Sequence, residues 1–167
     1  MIVLIPAYEP GSRLEPVVSG LLAVDPDVEV VVVDDGSGPV FAPVFAAVEA
    51  QGATVLHHET NLGKAAALRT GFAHAMAAHP GDDVVTADAD GQHTVHDIVR
   101  VADALREDAA DGAPTLILGC RAVGGRGPLR ARAGNAVARG VFRLAAGWRL
   151  SDTQTGLRGI PSELLAW

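Results

Sequence analysis

Val30-Val31-Val32-Val33-Asp34-Asp35-Gly36-Ser37 is the stretch on which the fold turns. Apart from Glu29, the apolar run from Val28 to Val33 is continuous rather than alternating, as expected of a strand covered on both faces, and it gives way at once to acidic and turn-forming residues. Ile2 to Ile5 repeats the pattern ahead of Pro6-Ala7-Tyr8-Glu9, and Thr54 to Leu56 repeats it again. Between these runs the spacing is helical. Leu14, Val17, Val18, Leu21 and Leu22 follow Ser12, a candidate N-cap, and a second helix is expected over Val40 to Ala50.

Further along, Asn61 and Gly63 introduce a helix with Leu68, Phe72 and Met76 on one stripe, ended by Pro80-Gly81. Val84 to Thr86 reads as a strand, Thr94 as the cap of a helix carrying Ile98, Val101, Ala102 and Leu105, and Thr115 to Leu118 as another strand. Alternation of this kind predicts an α/β doubly wound, mostly parallel sheet flanked by helices, with ligands beyond the carboxyl ends of the strands. The polar motifs fall at those ends: Pro6-Ala7-Tyr8-Glu9, Asp34-Asp35-Gly36-Ser37, Asp88-Ala89-Asp90 and Gly119-Cys120-Arg121.

The 167 residues, 49% of them hydrophobic, suit one domain over 1–167. Thirteen Lys and Arg against 20 Asp and Glu give a net charge of −7, which argues against nucleic acid as a partner. Cys120 is the single cysteine, so no intrachain disulfide forms and a cytoplasmic setting is expected. Met1 to Ile5 lacks the length and basic flank of a signal segment.

Asp88 and Asp90 flank a small residue just past a buried strand, and residues two apart in extended backbone point the same way. Adjacent carboxylates repel unless a cation lies between them, so the pair suits a hard divalent ion that also holds a diphosphate, with Gln92 adding a neutral oxygen. A lone Asp-x-Asp is otherwise an ordinary acidic turn; its place in the ordered set of strand-end motifs favours the metal. An EF-hand is excluded because Gly91 falls at the fourth position and the closing Glu is absent.

Asp35 after Val33 can accept from a base N–H or a ribose hydroxyl, or else the Asp34-Asp35 pair serves a turn. Asn61-Leu62-Gly63-Lys64 is not a Walker motif, since Ala65 follows the lysine, but Lys64 at a helix start would face an anion. Zinc at His93 and His96 or at His57-His58 is disfavoured, because the histidines lie on different expected loops. Arg121, Arg126, Arg130 and Arg132 cluster around Gly124-Gly125-Arg126-Gly127, which lacks the spacing of a dinucleotide site. A helix expected from Arg132 to about Ala146, with Arg139 and Arg143 near one stripe, would either cover the sheet or make a peripheral contact with an anionic membrane face.

Taken in order, Ile5-Pro6-Ala7-Tyr8, Val33-Asp34-Asp35-Gly36-Ser37, Asn61-Leu62-Gly63-Lys64, Asp88-Ala89-Asp90-Gly91-Gln92-His93, Gly119-Cys120-Arg121, Arg130-Ala131-Arg132-Ala133-Gly134-Asn135 and Asp152-Thr153-Gln154-Thr155-Gly156-Leu157-Arg158 resemble the family-2 glycosyltransferases of GT-A type, especially the polyprenyl-phosphate sugar synthases. The resemblance implies a GT-A fold in which Pro6, Tyr8, Glu9, Val33 and Asp35 contact the nucleotide. It implies that Asp88, Ala89, Asp90 and Gln92 hold Mg²⁺ or Mn²⁺ with the diphosphate, and that Arg121, Arg130 and Arg132 lie near the acceptor phosphate. Glu9-Pro10 stands where many relatives carry an Asn-Glu pair, and relatives continue past the position of Trp167 into acceptor-site elements, so the domain is expected to be incomplete at its C-terminus.

The activity expected on this basis is inverting transfer from a uridine or guanosine diphosphate sugar to a polyprenyl phosphate, an acceptor already anionic and in no need of a base. A saccharide hydroxyl as acceptor would need one, and Asp152 is the candidate. The competing classes are a sugar-phosphate nucleotidyltransferase and a silent nucleotide-sugar-binding domain.

Overall fold

The computed structural model describes residues 1–108, 114–119 and 155–165. Strands β1 (Ile2–Ala7), β2 (Glu29–Asp34), β3 (Thr54–His57) and β4 (Val84–Thr86) alternate with helices α1 (Leu14–Val24), α2 (Ala42–Ala50), α3 (Lys64–Ala78) and α4 (Val95–Asp108). Two short strands follow, β5 (Ile117–Leu118) and β6 (Arg158–Ile160). They form one sheet in the order β3-β2-β1-β4-β6-β5, parallel from β3 to β4, with β6 antiparallel to both of its neighbours.

Continuous hydrophobicity has the expected cause. Val3, Ile5, Val30, Val32 and Val85 face a core completed by Leu14, Val18, Phe45, Val48, Ile98 and Leu105, which come from α1, α2 and α4. Their neighbours Ile2, Leu4, Val31, Val33 and Val84 face a second core under α3. Each fully buried Leu, Val or Phe contributes about 1.5–3 kcal/mol relative to exposure, and the burial of both strand faces sets the β1–β2 register, with Pro6 opposite Val33 and Ala7 opposite Asp34.

Three local expectations change. Arg13, not Ser12, occupies the N-cap of α1, and no side chain caps that helix. On α3 the buried stripe is Ala67, Gly71 and Ala75, with Leu68 and Phe72 only partly buried and Met76 42% exposed. The helix lies so close to the sheet that a Cβ on Gly71 would fall 2.1 Å from Leu4 Cδ1, so small residues must face inward. The strand β6 was not foreseen; three residues with a central glycine carry no periodic signal.

Thr94 does cap α4. Its Oγ1 accepts from the Asp97 N–H at 3.1 Å while its own N–H donates to Asp97 Oδ2 at 3.3 Å, a reciprocal capping box. Among the described residues no helix is long and apolar enough to cross a membrane. Cys120, Arg121, Arg126, Arg130, Arg132, the helix expected from Arg132 and Asp152 lie outside the described residues.

Candidate active site

A cleft of about 450 Å³ opens where β1, β2 and β4 end. Pro6, Tyr8, Glu9, Asp35, Lys64, Asp88, Ala89 and Asp90 line it, together with Asn61, Gly63 and Ala67. The strand-end motifs, far apart in the chain, therefore meet. Val33 and Gln92 are not in the lining: Val33 is fully buried in the core under α3, so its side chain packs rather than presents a donor or acceptor.

The two readings of Asp34-Asp35 divide between the two residues. Asp34 makes the turn: its Oδ1 accepts from the Ser37 N–H at 2.9 Å and its Oδ2 lies 3.0 Å from His57 Nδ1. Burial disfavours its charge, but the hydrogen bonds from Ser37 and His57 outweigh burial and hold the carboxyl below its ordinary value of 3.8.

Asp35 faces the cleft. Its Oδ1 accepts from the Leu62 N–H at 2.9 Å and lies 2.8 Å from His58 Nδ1, and its Oδ2 accepts from the Gly63 N–H at 2.8 Å. Burial again opposes the charge, and the Leu62, His58 and Gly63 donors again overcome it, leaving this carboxyl too below 3.8. The close passage of residues 59–63 over the end of β2 requires Gly36, which has φ 75° and whose added Cβ would lie 2.2 Å from the Thr60 carbonyl carbon. Across the cleft Glu9 also takes a left-handed conformation, φ 45°, and its N–H donates to Ser37 Oγ at 2.9 Å.

Asp88 and Asp90 reach the cleft by a different route from the expected one. The chain leaves extended backbone after β4 and turns at Ala89-Asp90, with Gly91 at φ 69°, so a turn rather than strand alternation brings them to the cleft. The Lys64 ammonium pairs with Asp88 Oδ1, and His93 Nε2 lies 3.6 Å from Asp88 Oδ2. Gly156 closes the remaining side: a Cβ there would stand 2.2 Å from Asp88 Oδ2. The Thr86 hydroxyl anchors that segment by donating to the Gly156 carbonyl at 2.8 Å. Asp90 accepts from the Gln92 N–H at 2.9 Å and from its carboxamide nitrogen at 2.5 Å.

These donors suit a divalent ion shared with a ligand. Asp88 already draws a cation, the Lys64 ammonium, and hard oxygen donors match Mg²⁺ or Mn²⁺. Among the described residues no group of three His, Cys, Asp or Glu side chains forms a metal centre by itself, so ligand and water oxygens would complete the shell. The histidines serve different carboxylates: His57 pairs with Asp34, His58 with Asp35 and His93 with Asp88. In the sequence His58 and His93 carry no signal beyond a disfavoured zinc pairing, and Gly156 carries none of its own; their contacts to the site carboxylates arise from tertiary packing.

A sheet of this order, parallel from β3 to β4 with helices on both faces, defines an α/β domain of doubly wound type. Residues 2–160 match Glycosyl transferase family 2, and the chain belongs to that family. It is 27% identical over 180 residues to the UDP-N-acetylglucosamine–dolichyl-phosphate N-acetylglucosaminyltransferase of Methanococcus voltae, covering 97% of this chain and 69% of that one. The mannosyltransferase PcManGT of Pyrobaculum calidifontis, solved with GDP-Man and Mn²⁺, matches 98% of this chain and 45% of its own at 25% identity and a TM-score of 0.63. Glucosyl-3-phosphoglycerate synthase of Mycobacterium tuberculosis, solved with Mn²⁺, UDP and phosphoglyceric acid, shares the fold with a TM-score of 0.68 at 23% identity, covering 97% of this chain and 55% of that one. The chain thus spans about half the length of these solved structures.

Proposed function

We propose that this domain transfers a sugar, with inversion, from a uridine or guanosine diphosphate sugar to a polyprenyl phosphate. The observation that carries the reading is the convergence of Asp35, Lys64, Asp88 and Asp90 on one cleft at the ends of β2, α3 and β4. Asp35 accepts a donor from the nucleoside, Tyr8 and Pro6 flank it, and Asp88 and Asp90, with Gln92 beside them, hold Mg²⁺ or Mn²⁺. The bound ion would offset the charge that develops on the departing diphosphate. Lys64, at the start of α3, is placed to exchange its Asp88 partner for a phosphate oxygen and to stabilise the same charge.

An anionic acceptor needs orientation rather than deprotonation. Arg121, Arg130 and Arg132 take that part, their forked donors matching phosphate oxygens, and the basic segment they belong to supplies a peripheral contact at the cytoplasmic face of a membrane. The dolichyl-phosphate acceptor in the name of the Methanococcus voltae relative supports this choice.

A thermal-shift series with uridine, guanosine, thymidine and cytidine diphosphate sugars, each with and without Mn²⁺, tests the donor half. One or more should raise the melting temperature only when Mn²⁺ is present, and no shift with any of them would remove the reading. For the acceptor half, Arg132→Ala should raise the KM for polyprenyl phosphate about tenfold, as expected for a lost charged contact, while leaving the donor KM unchanged. Equal loss of both would count against the acceptor role.

A further inference from the structure

Behind Asp35 stands His58, the first residue after β3, its side chain only 9% exposed. Its Nδ1 lies 2.8 Å from Asp35 Oδ1 and its Nε2 lies 2.8 Å from the Thr70 hydroxyl oxygen in the second turn of α3. An ionised carboxylate only accepts, so Nδ1 carries the hydrogen that it donates to Asp35; in the neutral imidazole Nε2 then accepts from the Thr70 O–H. Thr70, His58 and Asp35 thus form one hydrogen-bonded chain.

A carboxylate offers about four acceptor directions. Three are taken, by His58, the Leu62 N–H and the Gly63 N–H, and Asp35 still lines the cleft. About one direction is left for a ligand, and what fixes it is the rotation of the carboxyl group. The Leu62 and Gly63 amides belong to a surface segment, whereas His58 is wedged between β2 and α3.

We propose that His58, backed by Thr70, is a positioning residue that sets the free acceptor direction of Asp35 and so selects a single N–H or O–H donor of the bound nucleoside. The inference rests on the nucleoside diphosphate reading above. His58 touches neither diphosphate nor acceptor in this assignment. Its loss weakens recognition of the nucleoside and leaves recognition of the diphosphate intact.

The test is calorimetric titration of the whole chain with uridine and guanosine diphosphate, and separately with pyrophosphate, all in Mn²⁺. His58→Ala should weaken the preferred nucleoside diphosphate about tenfold, the effect of one lost buried hydrogen bond, and leave pyrophosphate affinity unchanged. His58→Asn, whose amide nitrogen can take the place of Nδ1, should recover most of the affinity. His58→Gln, which reaches toward Thr70 but not Asp35, should not. If His58→Ala does not fold, Thr70→Val decides, with an expected loss of about threefold on the nucleoside diphosphate alone. Wild-type protein that binds pyrophosphate but no nucleoside diphosphate would remove the functional reading and this inference with it. Nucleoside diphosphate binding that survives unchanged in His58→Ala, or a loss shared equally by pyrophosphate, would overturn the inference alone.

Discussion

The two acidic pairs of the cleft are built on opposite principles. At the end of β2 the protein satisfies its own carboxylates: Asp35, with a side chain 3% exposed, holds two backbone N–H groups and an imidazole. At the end of β4 the Asp88 side chain is 27% exposed, and its cationic partner is Lys64, a long side chain itself 55% exposed. The first pair is largely satisfied by the protein itself before any ligand arrives, with Asp35 keeping about one acceptor direction free. The second is held by groups that can move, which suits carboxylates that must exchange a lysine for a metal ion and a diphosphate. Preorganisation thus serves recognition at β2, and adaptable charge serves the reacting end at β4.

The contrast is most exposed to failure at Asp88. Asp88→Asn should lower transfer by about 10²–10³-fold, in the range seen when one electrostatic stabiliser of a developing charge is removed, and should abolish the Mn²⁺-dependent thermal shift while the circular dichroism spectrum stays native. Full activity in that variant would end the metal assignment. Gly156→Ala should follow with a loss of about tenfold to a hundredfold, because the new methyl displaces the Asp88 carboxylate; it should also cost about 1–3 kcal/mol in urea unfolding. Unchanged kinetics would mean that the carboxylate can rotate away freely.

Stability separates the two pairs more finely. Asp35→Asn should destabilise the unliganded protein by about 1–3 kcal/mol, since a buried acceptor facing three donors is replaced by a carboxamide. Asp34 and Asp35 both titrate below 3.8 in the folded protein. The stabilisation they give is therefore complete above that value and is lost as pH falls through their folded values, so melting temperature should drop steeply below about pH 4 and less steeply in Asp35→Asn. Lys64→Ala should have the smallest effect, within about 0.5 kcal/mol for the free protein, because an exposed ion pair is screened by water. A larger cost would show that the β4 pair is as built-in as the β2 pair.

Continuous valines, helical spacing between them and acidic residues at the strand ends made the α/β alternation, the parallel sheet and eight of the cleft-lining side chains legible in the chain. Those signals are local: each depends on residues within one element. The inward stripe of α3 was misread because hydrophobicity marks Leu68, Phe72 and Met76, whereas the close approach of the helix to Leu4 demands Ala67, Gly71 and Ala75. The route by which Asp88 and Asp90 reach the cleft was misread for a similar reason, a turn replacing the extended backbone that strand periodicity implies.

By itself the sequence determined the kinds of element, their order and the chemistry gathered at the strand ends, since periodicity and turn composition act over a few residues. Only the tertiary structure decided that Asp34 would serve a turn while Asp35 faces the cleft, that His58 and Thr70 would stand behind Asp35, and that Gly156 would press on Asp88. Apart from the Asp34–Ser37 bond, which spans three residues, those assignments depend on contacts between residues 12 to about 70 positions apart, brought together by burial of both sheet faces, and no local pattern encodes which donor a buried carboxylate will meet.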